Sequence, residues 1–563
     1  MSDLPARIDS LSPAKRELLA RRLRRTLEES GEAIGRRERA SPVPVSPGQE
    51  RLFFLHQLDA QSVAYNLSQA YRLSGPVDAG VLRESFGALV ARHESLRTTF
   101  AVVDAQAVQI VHSPGPFELE VLAADSVERA QQLVNEDARR PFDLAAGPLL
   151  RARLIRLGER DHVLAVTMHH IISDGWSVAV LWMDLSAFYN ALTAGQALPL
   201  REMPVQYADF ALWQRGRLSG ELVERQLAYW REQLRGAPAA VALPFDRQPP
   251  APRASGGGAW GEVWPRSLAD AAAAVGRQAH ATPFMTHLAA FAVLLARHTG
   301  QDEVIVGSPI SARSAVETEP LIGFFVNTLP LRIDLSGRPD FPELLARVRA
   351  TMLAAHENQD VPFDVLVADL KGDRAQGRTP LVQVMFGFQE ARRTYLALAN
   401  VSVAAFPADT GAAKAELTVE LLQRPQGVDV RFEYDCGLFD PPTIERMGGH
   451  YRRLLEEIVA DPRRPVAELP MLSQAEGRQL VTEWNDTARE YLRAGSVNAL
   501  VEAWAARTPD ALAALAGGAS LTYRQLNARA NRLARGLVAR GLRPEECVGV
   551  CLERSLDTVV AML

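Results

Sequence analysis

One stretch narrows what this chain can fold into more than any other. HVLAVTM (162–168) has the make-up of a strand. It runs into two consecutive histidines, His169 and His170, and then into Asp174-Gly175. Beyond these, Val178, Leu181, Trp182, Leu185, Phe188, Tyr189 and Leu192 recur at three- and four-residue steps, which predicts a helix that Gly195 can end. A strand that delivers its end to a cleft can bury one histidine and present the other. A neutral imidazole, with an ordinary pKa of about 6.5, leaves one ring nitrogen as a proton acceptor. Such a group can take a proton from an attacking amine or hydroxyl, or stabilise a charged intermediate. Asp174 can cap the following helix or hold a buried arginine, and Gly175 permits close backbone approach or an unusual dihedral. The plainer reading is a pair of histidines bonded to backbone at a strand end.

The chain's 563 residues exceed one ordinary domain, so several cores are expected. The formal charge of −5 argues against a nucleic-acid binder, and the basic run Arg21–Arg25 reads as the solvated face of a helix. Cys436, Cys547 and Cys551 are too few for a disulfide scaffold and fit a reducing compartment. Cys547 and Cys551 lie in an apolar, strand-like run and read as buried thiols, not metal ligands. No signal-peptide core and no uncharged run of membrane-spanning length is present, which makes the cytoplasm the default expectation.

Residues 1–40 read as a separate helical segment, set off from the first lobe by the linker RASPVPVSPG. That first α/β lobe is expected over 45–235, a Pro/Gly/Ala-rich crossover over 236–258 and a second lobe over 259–465. The second lobe should hold a long apolar helix near 280–298, the strand EVIVGSPI, a helix after Asp340, a hairpin of ELTVELL with VDVRFEY, and a helix over 441–459. A linker (466–496) leads to the opening of a further α/β domain from 497 to 563, whose pattern breaks off before a full core is assembled.

HHIISDG (169–175) resembles the active-site motif of the condensation domains of nonribosomal peptide synthetases, relatives of chloramphenicol acetyltransferase. The resemblance extends over SPGQERLFFLHQL (46–58), RHESLRTTF (92–100), YADFALWQR (207–215), IGFFVNTLPLR (322–332), NQDVPFD (358–364) and GRTPLVQVMFGFQ (377–389), in the family's order. The tail, with WNDT (484–487) and LTYRQLNARANRLARGL, is similar to the start of an adenylation domain, without that family's ATP-binding elements. The resemblance implies an α/β fold of two chloramphenicol-acetyltransferase-like lobes in a V, with the active site in a tunnel between them. It also implies donor and acceptor peptidyl carrier proteins as partners, each bringing its acyl group on its own phosphopantetheine arm. No cofactor or metal is expected to be bound by this chain itself. The donor is expected from an upstream synthetase or polyketide synthase protein in trans, with residues 1–40 as a docking element.

By the same resemblance His170 is the catalytic residue, His169 its support, Asp174 a member of a buried ion pair, and Gly175 the space for the pantetheine arm. Arg97 is the first-choice partner of Asp174 and Arg332 the second; Trp176, Ser177 and Asn327 are lining residues. Asn358 stands where many relatives have histidine. The expected activity is amide formation between two carrier-bound thioesters. An ester-forming or acyl-chain-accepting variant, an epimerase-type domain, and a non-catalytic carrier-docking module are the alternatives. The intact histidine pair argues against the last, and against heterocyclisation relatives that carry aspartates instead.

Overall fold

The computed structural model describes residues 33–38, 42–199, 202–218, 220–248, 256–313, 315–370, 381–390, 396–490 and 495–563. It divides after Ser473 into two compact units. The helix expected around Leu18 and the Arg21–Arg25 run lie outside the described residues. Of the first forty, the stretch 33–38 is not separate. Ile34 is buried with Tyr207 and Phe210, and Arg37 pairs with Glu94 at 2.6 Å and Asp209 at 2.8 Å.

The first sheet has five strands, in the order Ser402–Phe406, Asn66–Ser74, Asp161–His169, Leu150–Gly158, Glu120–Ala123. Its histidine-bearing strand is central and covered on both faces, which is why the run Val163–Val166 is apolar and every residue from His162 to His169 is buried. Leu164, Val166 and Met168 face the helices Ala79–Arg92 and Gly175–Thr193, whereas Val163 and Ala165 face the helix Val127–Ala138. The helix after the histidines runs Gly175–Thr193, with Leu181, Trp182, Leu185, Phe188 and Tyr189 buried as its spacing foretells. Gly195 lies just beyond it in the left-handed region at φ 64°.

The second sheet has six strands, in the order Val326–Asp334, Glu303–Ser311, Val384–Glu390, Leu417–Arg424, Gly427–Asp435, Gly257–Pro265. The expected hairpin is present, Leu417 pairing with Tyr434 and Arg424 with Gly427. Helices Pro283–Thr299, Phe341–Glu357 and Pro441–Ala460 contribute to its core. Pro283–Thr299 is apolar nearly all round because it lies in the middle of that core, Leu288–Leu295 being almost entirely buried. Among the described residues no single helix is long and apolar enough to cross a membrane.

Two segments read as connectors take part in packing, and one strand assigned to the second lobe joins the first sheet. Val241 and Leu243, in the expected crossover, and Val466 and Leu469, after the last helix, are buried in the second core. The strand Ser402–Phe406, from the second half of the sequence, adds antiparallel to Asn66–Ser74 at the edge of the first sheet. Behind it Gln131 Nε2 donates to the Pro407 carbonyl (2.9 Å), and Arg139 pairs with Asp409 (2.8 Å). The lobes are therefore interlocked through backbone pairing.

The second unit carries a two-stranded hairpin, Leu512–Ala516 with Ala519–Thr522, and helices Val497–Arg507, Tyr523–Ala539 and Leu556–Met562. The strand expected around Cys547 and Cys551 is absent and both thiols are exposed, a correction to the buried reading. An apolar run becomes a buried strand only where neighbouring strands pair with it. The hairpin does not extend to it.

Core packing predicts a clear contrast in stability. Phe291, fully buried and stacked on Phe386 at 5.4 Å, should lose about 3–5 kcal/mol as Phe291→Ala. Arg266→Ala, which breaks an exposed pair with Asp270 and an exposed bond to the Pro425 carbonyl, should lose less than about 1 kcal/mol. Urea unfolding followed by tryptophan fluorescence measures both; equal losses would contradict the packing described.

Candidate active site

The two histidines end the central strand and part ways there. His169 stays buried, edge-on to Phe142 and His56, with Nδ1 accepting a hydrogen bond from the Ile171 amide (3.1 Å). Burial, with His56 close by, pushes its pKa down to about 3. His170 opens a short turn, His170–Ile172, its amide bonded to the Tyr65 carbonyl (2.8 Å). Its Nδ1 lies 2.8 Å from the Ser173 carbonyl oxygen, an atom that can only accept. The proton therefore sits on Nδ1, and Nε2 keeps its lone pair. Burial pushes the His170 pKa down to about 3, with the Lys414 ammonium adding to the effect. The ring is neutral at cellular pH and its Nε2 is a fixed acceptor.

Asp174 caps the helix Gly175–Thr193. Oδ1 accepts from the Ser177 amide (2.7 Å) and Oδ2 from the Phe325 amide (3.0 Å), so one carboxylate joins the histidine turn to IGFF of the second lobe. Its ion-pair partner is Arg313, at 3.3 Å, both side chains being buried. This corrects the expectation of Arg97 or Arg332. Arg97 donates to the His112 carbonyl and lines a separate polar cavity with Arg37, Glu94 and Asp209. Arg332 lies on the strand Val326–Asp334 and binds both oxygens of Glu303 on the neighbouring strand (2.9 and 2.7 Å). Arg313 comes just after the strand Glu303–Ser311, whose pairing with Val326–Asp334 places Ala312 against Phe325 (2.7 Å, amide to carbonyl). That register was the available signal. Arg313 also donates to the Leu321 carbonyl and to Ser177 Oγ, and lies 3.8 Å from the Phe325 ring centroid.

The remaining candidates separate. Ser177 is buried, its Oγ donating to the Gly323 carbonyl (2.8 Å) and accepting from the Gly323 amide (3.0 Å), so it fastens the lobes instead of lining the site. Asn327 Nδ2 donates to the Gln359 and Val361 carbonyls, and its Oδ1 accepts from the Thr328 and Phe363 amides. All four of its bonds go to protein, although it stands in a cavity wall. Trp176 is exposed, with Nε1 donating to the Glu319 carbonyl (2.9 Å). Gly175 has no left-handed dihedral, contrary to one of its two readings, and a Cβ there would meet nothing within 4 Å. The space in front of it is open. Asn358 ends a helix, donating back to the Ala354 carbonyl (2.8 Å).

Groups the motif did not reveal complete the surroundings. Tyr207 Oη donates to the Phe324 carbonyl (2.7 Å) and accepts from Ser46 Oγ (2.8 Å). Gln49 Nε2 donates to the Ile171 carbonyl (3.1 Å), fixing the histidine turn from the helix Pro47–Leu58. The Phe324 ring meets the His170 ring edge-on, with centroids 5.1 Å apart. It also lines a cavity of about 280 Å³ together with Gly48, Trp213, Asn327 and Phe363. Among the described residues no cluster of three His, Cys, Asp or Glu side chains could hold a metal ion.

A buried, many-bonded pair is costly to break on one side. Arg313→Ala should destabilise by roughly 3–5 kcal/mol, because Asp174 stays charged and buried. Arg97→Ala and Arg332→Ala should each cost less than half as much. In urea unfolding, Arg313→Ala and Asp174→Ala should be strongly non-additive; additive losses, or an equal loss from Arg97→Ala, would exclude the pairing.

A family model described as condensation domain matches residues 40–481, and one described as AMP-binding enzyme matches 501–563. A linear gramicidin synthase polypeptide of Brevibacillus parabrevis is 43% identical over 533 residues, 93% of this chain and 7% of the synthase polypeptide. A phosphinothricin tripeptide synthetase of Streptomyces viridochromogenes is 39% identical over 100% of this chain, which spans 52% of that protein. Among solved structures, the X-domain from teicoplanin biosynthesis superposes with a TM-score of 0.73 at 30% identity, covering 78% of this chain and 100% of its own. The first condensation domain of the calcium-dependent antibiotic synthetase gives a TM-score of 0.68 at 20% identity, covering 77% of this chain and 100% of its own, and shows the fold alone.

Proposed function

This chain belongs to the condensation-domain family of nonribosomal peptide synthetases, and from that membership we propose that its two-lobed unit forms an amide bond between two carrier-bound thioesters. The observation that carries the reading is the neutral His170 ring, its Nδ1 proton spent on Ser173 and its Nε2 held as an acceptor. Phosphopantetheine arms on donor and acceptor carrier proteins bring the reactants. Open space before Gly175 leaves room for such an arm.

The acceptor amine attacks the donor thioester carbonyl. A C–N bond forms, and the carbonyl π pair moves onto oxygen. As the tetrahedral species collapses the C–S bond breaks, and the electron pair leaves with sulfur. The amine must lose one proton and the departing thiolate must gain one. His170 Nε2 accepts the hydrogen bond of the attacking amine and relays its proton to sulfur. An imidazolium with a pKa of about 3 does not retain a proton, which suits a relay better than a resting base. His169 and Asp174 act through position. Holding both thioesters in one tunnel supplies the effective concentration.

A docking role is the second reading, favoured by one observation: a similar X-domain is solved in complex with OxyB. With both carriers loaded beforehand, His170→Ala should lower single-turnover amide formation by about 10²–10⁴-fold. Unchanged turnover would leave docking or proximity alone.

The pH profile gives an independent check. Because burial holds His170 near 3, its protonation lies far below the working range. The rate should fall as pH drops through the acceptor amine's pKa, about 8, at about tenfold per unit, with no further inflection near 6.5. An inflection near 6.5 that disappears in His170→Ala would overturn the relay.

A further inference from the structure

The approach to His170 from the 280 Å³ cavity is partitioned by one aromatic ring. Phe324 touches both sides: its ring stands edge-on to the imidazole at 5.1 Å and also forms part of the cavity wall. Its backbone has no freedom to move aside. The Gly323 amide is bonded to Ser177 Oγ, the Phe324 carbonyl to Tyr207 Oη, and the Phe325 amide to the Asp174 carboxylate. What can vary is the side chain alone. Beyond the ring lies the helix Pro47–Leu58, which meets it at a glycine. A Cβ on Gly48 would lie 2.8 Å from Phe324 Cε1 and 3.0 Å from Cδ1. The ring occupies the space that the missing side chain leaves. Of the polar groups in this wall, Asn327 is committed to four backbone partners, while Arg51, Arg217, Asp360 and Asp364 line the cavity away from the imidazole-facing ring. At the ring itself the contacts are with an imidazole edge and a glycine, so discrimination at that point falls to apolar volume.

We propose that Phe324 is a specificity-determining residue: its ring, seated against Gly48, sets the size of the acyl group that a pantetheine thioester entering through the cavity can bring up to His170. The inference rests on the condensation reading and adds the chemistry of selection, a steric limit on an aminoacyl side chain. Shrinking the ring merges the cavity with the space at His170 and admits larger groups. Adding a methyl at Gly48 pushes the ring away from the helix and narrows the passage.

The test is equilibrium binding of non-hydrolysable aminoacyl-pantetheine amides, with alanyl and tryptophanyl side chains, to the full chain by calorimetry. Phe324→Leu and Phe324→Ala should shift the affinity ratio progressively toward the tryptophanyl ligand, by roughly tenfold or more for alanine. Gly48→Ala should shift it the other way. It should have no effect in a Phe324→Ala background, since the next neighbour at Gly48 is a backbone oxygen at an unstrained 3.8 Å. A ratio unchanged in both Phe324 variants overturns the proposal. So does a Gly48→Ala effect that survives without the ring, or the lack of measurable binding to any of the proteins. Loss of amide formation on changing His170 is a separate measurement, so the condensation reading stands or falls independently of this ratio.

Discussion

The site depends on a charge pair that crosses between the lobes. Asp174 comes from the strand-to-helix turn of the first lobe, Arg313 from the end of a strand in the second, and both are buried. Burying two charges costs several kcal/mol per ion, and attraction alone rarely offsets it. Here the remaining valences are filled. Asp174 also accepts two backbone amides, and Arg313 donates to the Leu321 carbonyl and Ser177 Oγ. The pair is satisfied only when the histidine turn and the IGFF segment are in register. It acts as a positional lock whose geometry places Phe324 against His170.

The state of the imidazole depends on the same local architecture. A central strand covered on both faces must end somewhere, and its last residues pass from sheet packing to turn bonding. His169 keeps the strand's burial. His170 turns out of the ladder, and Ser173 three residues on returns a carbonyl to its Nδ1. A histidine exposed to water would be partly charged near pH 6.5 and free to choose its tautomer. Burial and one backbone acceptor remove both freedoms, leaving Nε2 as a neutral acceptor with no titration in the working range.

What was legible in the sequence is what local periodicity and one dense motif encode. The apolar strand, the helix from Gly175, the 417–435 hairpin and the capped helix after Asp340 can all be read from spacing and caps, because each is determined within about twenty residues. Arg313 was missed because its pairing depends on the register of two strands and on a bend that brings Thr318 and Leu321 round it. Arg97 and Arg332 sit in more conspicuous motifs, yet their partners lie away from Asp174: the His112 carbonyl for the first, Glu303 and the Gln233 and Arg235 carbonyls for the second. The strand Ser402–Phe406 was assigned with its neighbours in sequence, although its hydrogen bonds are to Asn66–Ser74, at the other end of the two-lobed unit's sequence. The run around Cys547 shows the converse: a strand-like composition without pairing neighbours stays irregular and exposed.

The interlocking of the lobes bears on how the cavity can change shape. Pulling them apart would break the Asp174–Arg313 pair and the bond from Trp176 Nε1 to the Glu319 carbonyl. It would also break the bonds of Asn190 to Ala397 and Ala399 and the five-residue pairing of Ser402–Phe406. Opening through that route would leave buried charges and amides without partners, several kcal/mol for the ion pair alone. Rotation of one aromatic side chain costs far less, because a rotamer change breaks no hydrogen bond and displaces only local packing. In a scaffold tied this tightly across its middle, access to His170 is decided by side chains on the cavity wall, and the ring that touches both the cavity and the imidazole has the most influence over it.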